Sequence, residues 1–190
     1  MSLAGVKTAA RKAAFARRAQ ADPAVGDAAN RHLIEAVRLA AGTTVSAYWP
    51  IRTEIDPRPA MHQLAATHNI CLPIVMGEAL PLTFRRWTPN APLEVGAFGA
   101  SIPVDSEDLV PDVLIVPLAA FDDQGYRLGY GGGFYDRTLE KLKRLGPVTA
   151  IGFAYEIQAC DAVPRDATDQ RLDAIVTEAG IRRFGDEIAA

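Results

Sequence analysis

From residue 44 onward the chain alternates short apolar runs with stretches whose apolar positions recur every three or four residues. Val113-Leu114-Ile115-Val116 has no polar position at all, the pattern of a strand buried on both faces. Thr44–Tyr48, Ile70–Val75, Leu82–Trp87, Val148–Ala154 and Ala174–Thr177 read as further strands, Leu82–Trp87 at an edge and Ala174–Thr177 as the last. Helical spacing predicts a first helix within residues 1–21 and a second over Ala24–Ala41, started by Asp22-Pro23 and stopped by Gly42. A third is expected over Pro57–Thr67, and a fourth opens at Phe134 and runs through Arg144. Residues 88–109, broken by Pro89, Pro92, Gly96, Gly99 and Pro103, read as a loop-like insertion or lid. Strands alternating with helices predict a mainly parallel sheet covered on both faces, an α/β architecture in one domain spanning residues 1–190. Ligands of such sheets sit where strands end. Trp49–Glu54, Gly129–Asp136 and the loop after Val148–Ala154 are therefore expected to meet at one rim.

Composition narrows the partners. The 190 residues are 49% hydrophobic and 23% charged with a net charge of -3, which gives no general attraction to nucleic acid or anionic membrane. No apolar run approaches the roughly 20 residues that span a bilayer. Cys71 and Cys160 match neither a zinc nor a redox spacing, so a reducing cytoplasm is the simplest setting. His32, His62 and His68 form no H-x-x-x-H pair and read as structural or surface residues. Small-molecule substrates are the expected partners, and a monomer the expected state. Residues 1–21 are basic and acid-poor, which suits a transit peptide except that serine is scarce. A solvated helix is the plainer reading; a third is that Lys7 and Arg11, four apart on one helical face, reach a single anion.

The strongest chemical signal is Gly129-Tyr130-Gly131-Gly132-Gly133, set between a strand and a helix start. Exposed backbone N–H groups and a helix N-terminus then face one spot, which suits an anion. A flexible or tight loop is the bland alternative. Arg127 before the loop and Asp136 after it tilt the reading toward a phosphate and its magnesium. No Walker motif is present, the dinucleotide fingerprint fails at its third glycine, and the RNA-binding aromatic pattern is unmatched.

Four pieces of the chain, in order and in register, resemble the 5-formyltetrahydrofolate cyclo-ligase (5,10-methenyltetrahydrofolate synthetase) family. The most specific runs from Val116 to Arg137, VPLAAFDDQGYRLGYGGGFYDR. The others are Lys7-x-x-x-Arg11, Trp49 to Glu54, and Pro164–Asp169 leading to Asp173–Glu178. The resemblance implies a three-layer α/β/α fold of the NagB/RpiA/CoA-transferase-like kind, with ATP as co-substrate and Mg2+ as metal. In the reaction it implies, ATP phosphorylates the formyl oxygen, N10 closes the ring, and phosphate departs to leave the methenyl cation. Such a transfer needs charge neutralisation and placement more than a protein nucleophile.

The same resemblance distributes roles. Lys7, Arg11, Arg127, Leu128, Gly129, Tyr130, Gly131, Gly132, Gly133, Phe134 and Tyr135 are expected around ATP. Trp49, Glu54, Phe134 and Tyr135 are expected around the pterin, with Arg127 and Glu54 closest to the chemistry. Asp136 and Asp169 are expected on the metal. Departures are visible: Tyr130 stands where Arg or Lys is common in the family, Gly132 where Lys is, Phe134 for a tyrosine and Thr168 for a histidine. Two other readings stay open. One is an ATP-independent enzyme of the sugar-phosphate isomerase or CoA-transferase kind; the other is a non-catalytic folate- or nucleotide-binding paralogue.

Overall fold

The computed structural model describes residues 2–40 and 42–184. In chain order these form α1 (Leu3–Arg18), α2 (Gly26–Leu39), β1 (Thr44–Ser46), α3 (Arg58–Leu64), β2 (Asn69–Ile74), β3 (Thr83–Trp87), β4 (Leu93–Val95) and β5 (Ser101–Pro103). Then follow β6 (Val113–Pro117), β7 (Ala120–Phe121), β8 (Arg127–Leu128), α4 (Phe134–Leu145), β9 (Thr149–Phe153), β10 (Ala174–Thr177) and β11 (Gly180–Arg183). The main sheet has the order β11-β10-β9-β6-β1-β2-β3. Its five inner strands are parallel, and β3 and β11 close the two edges antiparallel.

Alternation along the inner strands explains the two layers of helices. Val113 and Ile115 of β6 pack with α2 and α3, while Leu114 and Val116 pack with Leu139 and Leu142 of α4. All four β6 side chains are buried, as a strand covered on both faces requires. Helix α1 belongs to neither layer. Its Ala14 packs with Ala119, Ala120, Leu128 and Val163 around the β7–β8 hairpin, so this helix is docked rather than solvated.

Several sequence boundaries shift for local reasons. Asp22 caps a 3-10 turn at Pro23–Val25, its carboxylate accepting from Ala24 N at 3.0 Å, and the α-helix proper starts only at Gly26. That helix ends at Leu39; Ala41, its expected last residue, lies outside the described residues. The 88–109 segment is not wholly loop, since β4 and β5 pair there as a hairpin. Ala174–Thr177 is not the last strand, because the chain turns at Gly180 and pairs back as β11.

The strand order reverses at the β1–β6 junction: the chain steps outward to β2 and β3, then returns to the other side of β1. Loops leaving β1 and β6 diverge there and leave a crevice, the place where ligands bind in open α/β sheets. Ile115 sits at the centre of the sheet, fully buried and paired with Ile151. Ile115→Ala is expected to cost about 2–5 kcal/mol in urea unfolding, the usual cost of a cavity at such a site.

Candidate functional site

The segment leaving β1 makes a tight turn closed by its own carboxylate. Glu54 N donates to Ile51 O at 3.1 Å, and Ile51 N donates back to Glu54 Oε2 at 2.9 Å. Arg52 inside the turn has φ 54°, in the left-handed region. Burial raises the Glu54 pKa above its usual range; the Ile51 amide, the Tyr130 hydroxyl, Arg18 and Arg52 work against that rise. Three phenols feel Glu54 in turn. Burial first, and then the Glu54 charge, pushes up Tyr48, Tyr135 and Tyr130, the last to about 12. Glu54 is thus the electrostatic centre of a wall built on β1's exit, with Tyr130 and Tyr135 reaching it from the glycine loop and the first turn of α4.

The glycine loop lies beside that wall. Gly131 (φ 105°) and Gly133 (φ 64°) occupy backbone conformations that side chains resist. At Gly132 the constraint is a neighbour: a Cβ there would lie 2.5 Å from the Phe134 ring. The lysine common in the family therefore has no room unless that ring turns away. Helix α4 starts at Phe134 with no side chain capping it, which leaves its first N–H groups for another acceptor. Arg11 approaches the loop from α1, its Nε donating to Gly129 O at 2.9 Å and its guanidinium carbon lying 3.2 Å from where a Gly131 Cβ would be.

Charge missing at position 130 is supplied from elsewhere. The Tyr130 ring stacks on Phe15 at 5.0 Å, and the guanidinium carbons of Arg18 and Arg52 lie 5.5 and 6.0 Å from its centroid. Arg18 also donates to the Tyr130 hydroxyl at 2.7 Å. Sequence reasoning missed Arg18, which looks like one more cation in a basic stretch. The only signal was its place eleven residues after Lys7 and seven after Arg11, on the same helical face.

Two residues expected at the phosphates have partners within the chain. Arg127, with a side chain 4% exposed, donates through Nη1 to Gln170 O at 2.8 Å and through Nη2 to Asp136 Oδ1 at 2.9 Å. It is a clamp between β8, α4 and the 166–170 segment, because its neighbours supply acceptors that a buried guanidinium must have. Leu128 is likewise buried, packed under α1 in the hairpin. Lys7 bridges Asp166 and Asp169 at 2.8 and 2.7 Å. Partial burial lowers its pKa, but the two carboxylates outweigh that and raise it overall. Lys7, followed by Thr168, holds Asp166 well below the usual carboxylate range.

The two expected metal carboxylates do reach one corner. Asp136 Oδ1 accepts from Gln170 N at 2.8 Å, next in sequence to Asp169. Asp169 Oδ2 takes Lys7 and Asp166 N. Asp136 Oδ2 and Asp169 Oδ1 carry no hydrogen bond among the described residues, so each carboxylate has an oxygen to offer. No cluster of three or more acidic, histidine or cysteine side chains able to hold a metal occurs among the described residues. A hard ion that keeps its waters fits this pair; a fully protein-caged ion does not. Trp49 stands farther along the β1 exit, half-buried against the α2–α3 core with Arg58 5.1 Å from its ring. Phe134 meets Phe98, from the β4–β5 hairpin tip, edge to face at 6.1 Å.

Comparison with known proteins gives the family. The model of the 5-formyltetrahydrofolate cyclo-ligase family matches residues 6–178. The chain is 36% identical over 141 residues to the 5-formyltetrahydrofolate cyclo-ligase of Escherichia coli K12, covering 70% of this chain and 77% of that one. It is 30% identical over 149 residues to the Haemophilus influenzae protein of the same name, covering 75% and 79%. Among solved structures it is similar to the Aquifex aeolicus 5,10-methenyltetrahydrofolate synthetase, with TM-score 0.81 and 31% identity over 97% of this chain and 96% of that one.

A carboxyl whose folded-state pKa lies above its unfolded value favours folding below the unfolded value and loses that advantage as pH rises through the folded one. Glu54 is such a group. Glu54→Gln should therefore melt at a higher temperature than the parent near neutral pH, with the gap closing as pH falls to about 4, the ordinary glutamate range. Calorimetry at the two pH values checks this, and coincident neutral-pH melts would contradict the raised pKa.

Proposed function

The chain belongs to the 5-formyltetrahydrofolate cyclo-ligase family, a family of ligases, and we propose that it cyclises 5-formyltetrahydrofolate to 5,10-methenyltetrahydrofolate with consumption of ATP. The observation that carries this reading is the meeting of two unlike walls at one rim of the sheet. An uncapped helix start, a glycine loop and Arg11 form the anion-binding side. Glu54 and its three phenols form a largely apolar side with one carboxylate, suited to a flat heterocycle.

Chemically, the N5-formyl group is an amide whose carbon resists attack. Its oxygen takes the γ-phosphoryl group of ATP, releasing ADP. N10 then adds to the activated carbon, N10 loses its proton, and phosphate leaves with its bonding electrons. Arg11 and the loop amides neutralise the phosphates. Tyr135 and Phe134 bracket the pterin ring, with Trp49 farther along the same exit. Glu54, with its raised pKa, orients the pterin and is suited to hold the proton shed by N10. Asp136 and Asp169 would hold Mg2+, which supplies charge neutralisation on the transferring group and needs few protein ligands. Arg127 and Lys7 act through these carboxylates, setting Asp136 and Asp169 in place. The reading makes the protein a monomeric cytoplasmic enzyme. Among the described residues no helix is long and apolar enough to cross a membrane.

Purified protein mixed with 5-formyltetrahydrofolate and Mg2+ should develop the near-ultraviolet absorbance of the conjugated methenyl product only when ATP is added. Pterin binding without any absorbance rise would support a non-catalytic binder instead. A rise of similar rate without nucleotide would remove ATP from the reaction. In the same assay Asp136→Asn should shift the Mg2+ dependence of turnover to higher concentration; an unchanged dependence takes Asp136 out of the metal shell.

A further inference from the structure

Arg18 is 2% exposed, and among the described residues no carboxylate forms an ion pair with it. A helix face that needed only to pack would carry a leucine there, since a buried guanidinium must be compensated by hydrogen bonds. Its acceptors belong to three separate segments. Nε donates to Thr53 Oγ1 at 3.0 Å in the β1 exit turn, Nη1 to Leu118 O at 3.2 Å just after β6, and Nη2 to Tyr130 Oη at 2.7 Å in the glycine loop. The rings of Phe15 and Tyr130 cover the guanidinium, at 5.2 and 5.5 Å from its carbon. Tyr130 is the one residue of Gly129–Gly133 with a side chain, so it is the one side chain by which that loop can be gripped. Thr53, gripped by the same guanidinium, precedes Glu54.

We propose that Arg18 is a positioning residue that locks the glycine loop and the Glu54 turn to the end of β6 as one unit. The two subsites are then assembled together by helix α1. A run of four glycines in five residues has much conformational freedom to lose, and freedom lost before binding does not weaken binding. Arg11 restrains the loop at the Gly129 carbonyl and Arg137 at the Gly132 carbonyl. Arg18 adds a third point and, through Thr53 and Leu118, links the loop to the opposite wall. Which ligands fill the two walls rests on the cyclo-ligase reading. The mechanical link between the walls does not.

The test is amide hydrogen exchange on the full chain without ligand, comparing the parent with Arg18→Met, Arg18→Lys and Tyr130→Phe. Arg18→Met should speed exchange by about tenfold or more in residues 51–55 and 128–134 together, leaving β2 and β3 unchanged. Arg18→Lys should recover part of the protection. Tyr130→Phe should release the loop, with Arg18→Met adding little there in the double variant. In turnover, Arg18→Met should raise KM for the pterin and for ATP together by about tenfold, with a smaller fall in kcat, partly restored by Arg18→Lys. Faster exchange in only one segment, or evenly across the whole chain, would overturn the link. If Arg18→Met does not fold, the lysine and phenylalanine variants decide by the same criterion. A parent protein that binds but does not turn over refutes the proposed reaction, and the exchange data still decide the role of Arg18.

Discussion

Parallel strands cannot be joined by a tight turn: each must be followed by a crossover that carries the chain back to its starting end. β1, β6, β9 and β10 therefore all leave the sheet at one rim. The reversal of strand order between β1 and β6 opens that rim into a crevice. Both pocket walls follow from this single constraint. The Glu54 turn is the exit of β1, and the hairpin, glycine loop and α4 together form the crossover from β6 to β9. Within the main sheet the antiparallel edges escape the rule, by short returns from β2 to β3 and from β10 to β11.

What the crevice lacks is anything to hold its walls at a fixed separation, since loops carry few buried contacts of their own. α1 supplies it. Along one face of this helix Lys7 reaches the 166–169 segment, Arg11 the glycine loop, and Arg18 the loop, the Glu54 turn and the end of β6. Among the described residues, only Lys7 of these cations pairs with carboxylates. The others are compensated by carbonyl and hydroxyl oxygens, which leaves their positive charge unneutralised beside the place where phosphates are proposed to bind.

The sheet was legible in the sequence because its signal is local: Val113–Val116 has no polar residue to place outward, and Leu82–Trp87 holds three large apolar residues between turn signals. The glycine loop was legible for the same reason. Elements with weak local signal were lost. β4 is three exposed residues, too few for a period to register, and β11 is four residues with two arginines. Bonding partners were least legible where they lie far along the chain. Arg127 donates to Gln170 O, 43 residues on. Arg18 is indistinguishable from Arg17 until Tyr130 and Leu118, more than 100 residues on, close over it.

The contact between positions 132 and 134 bears on how this loop can change through descent. The Phe134 ring occupies the space that any side chain at 132 would enter. A cation at 132 therefore requires the ring at 134 to turn aside, and the larger tyrosine common at 134 in the family would have to do the same. Position 130 is under no such restriction, with its ring half-exposed beside two arginines. Positions 132 and 134 of such a loop should therefore change as a pair, whereas a replacement at 130 must keep or substitute for the bond to Arg18.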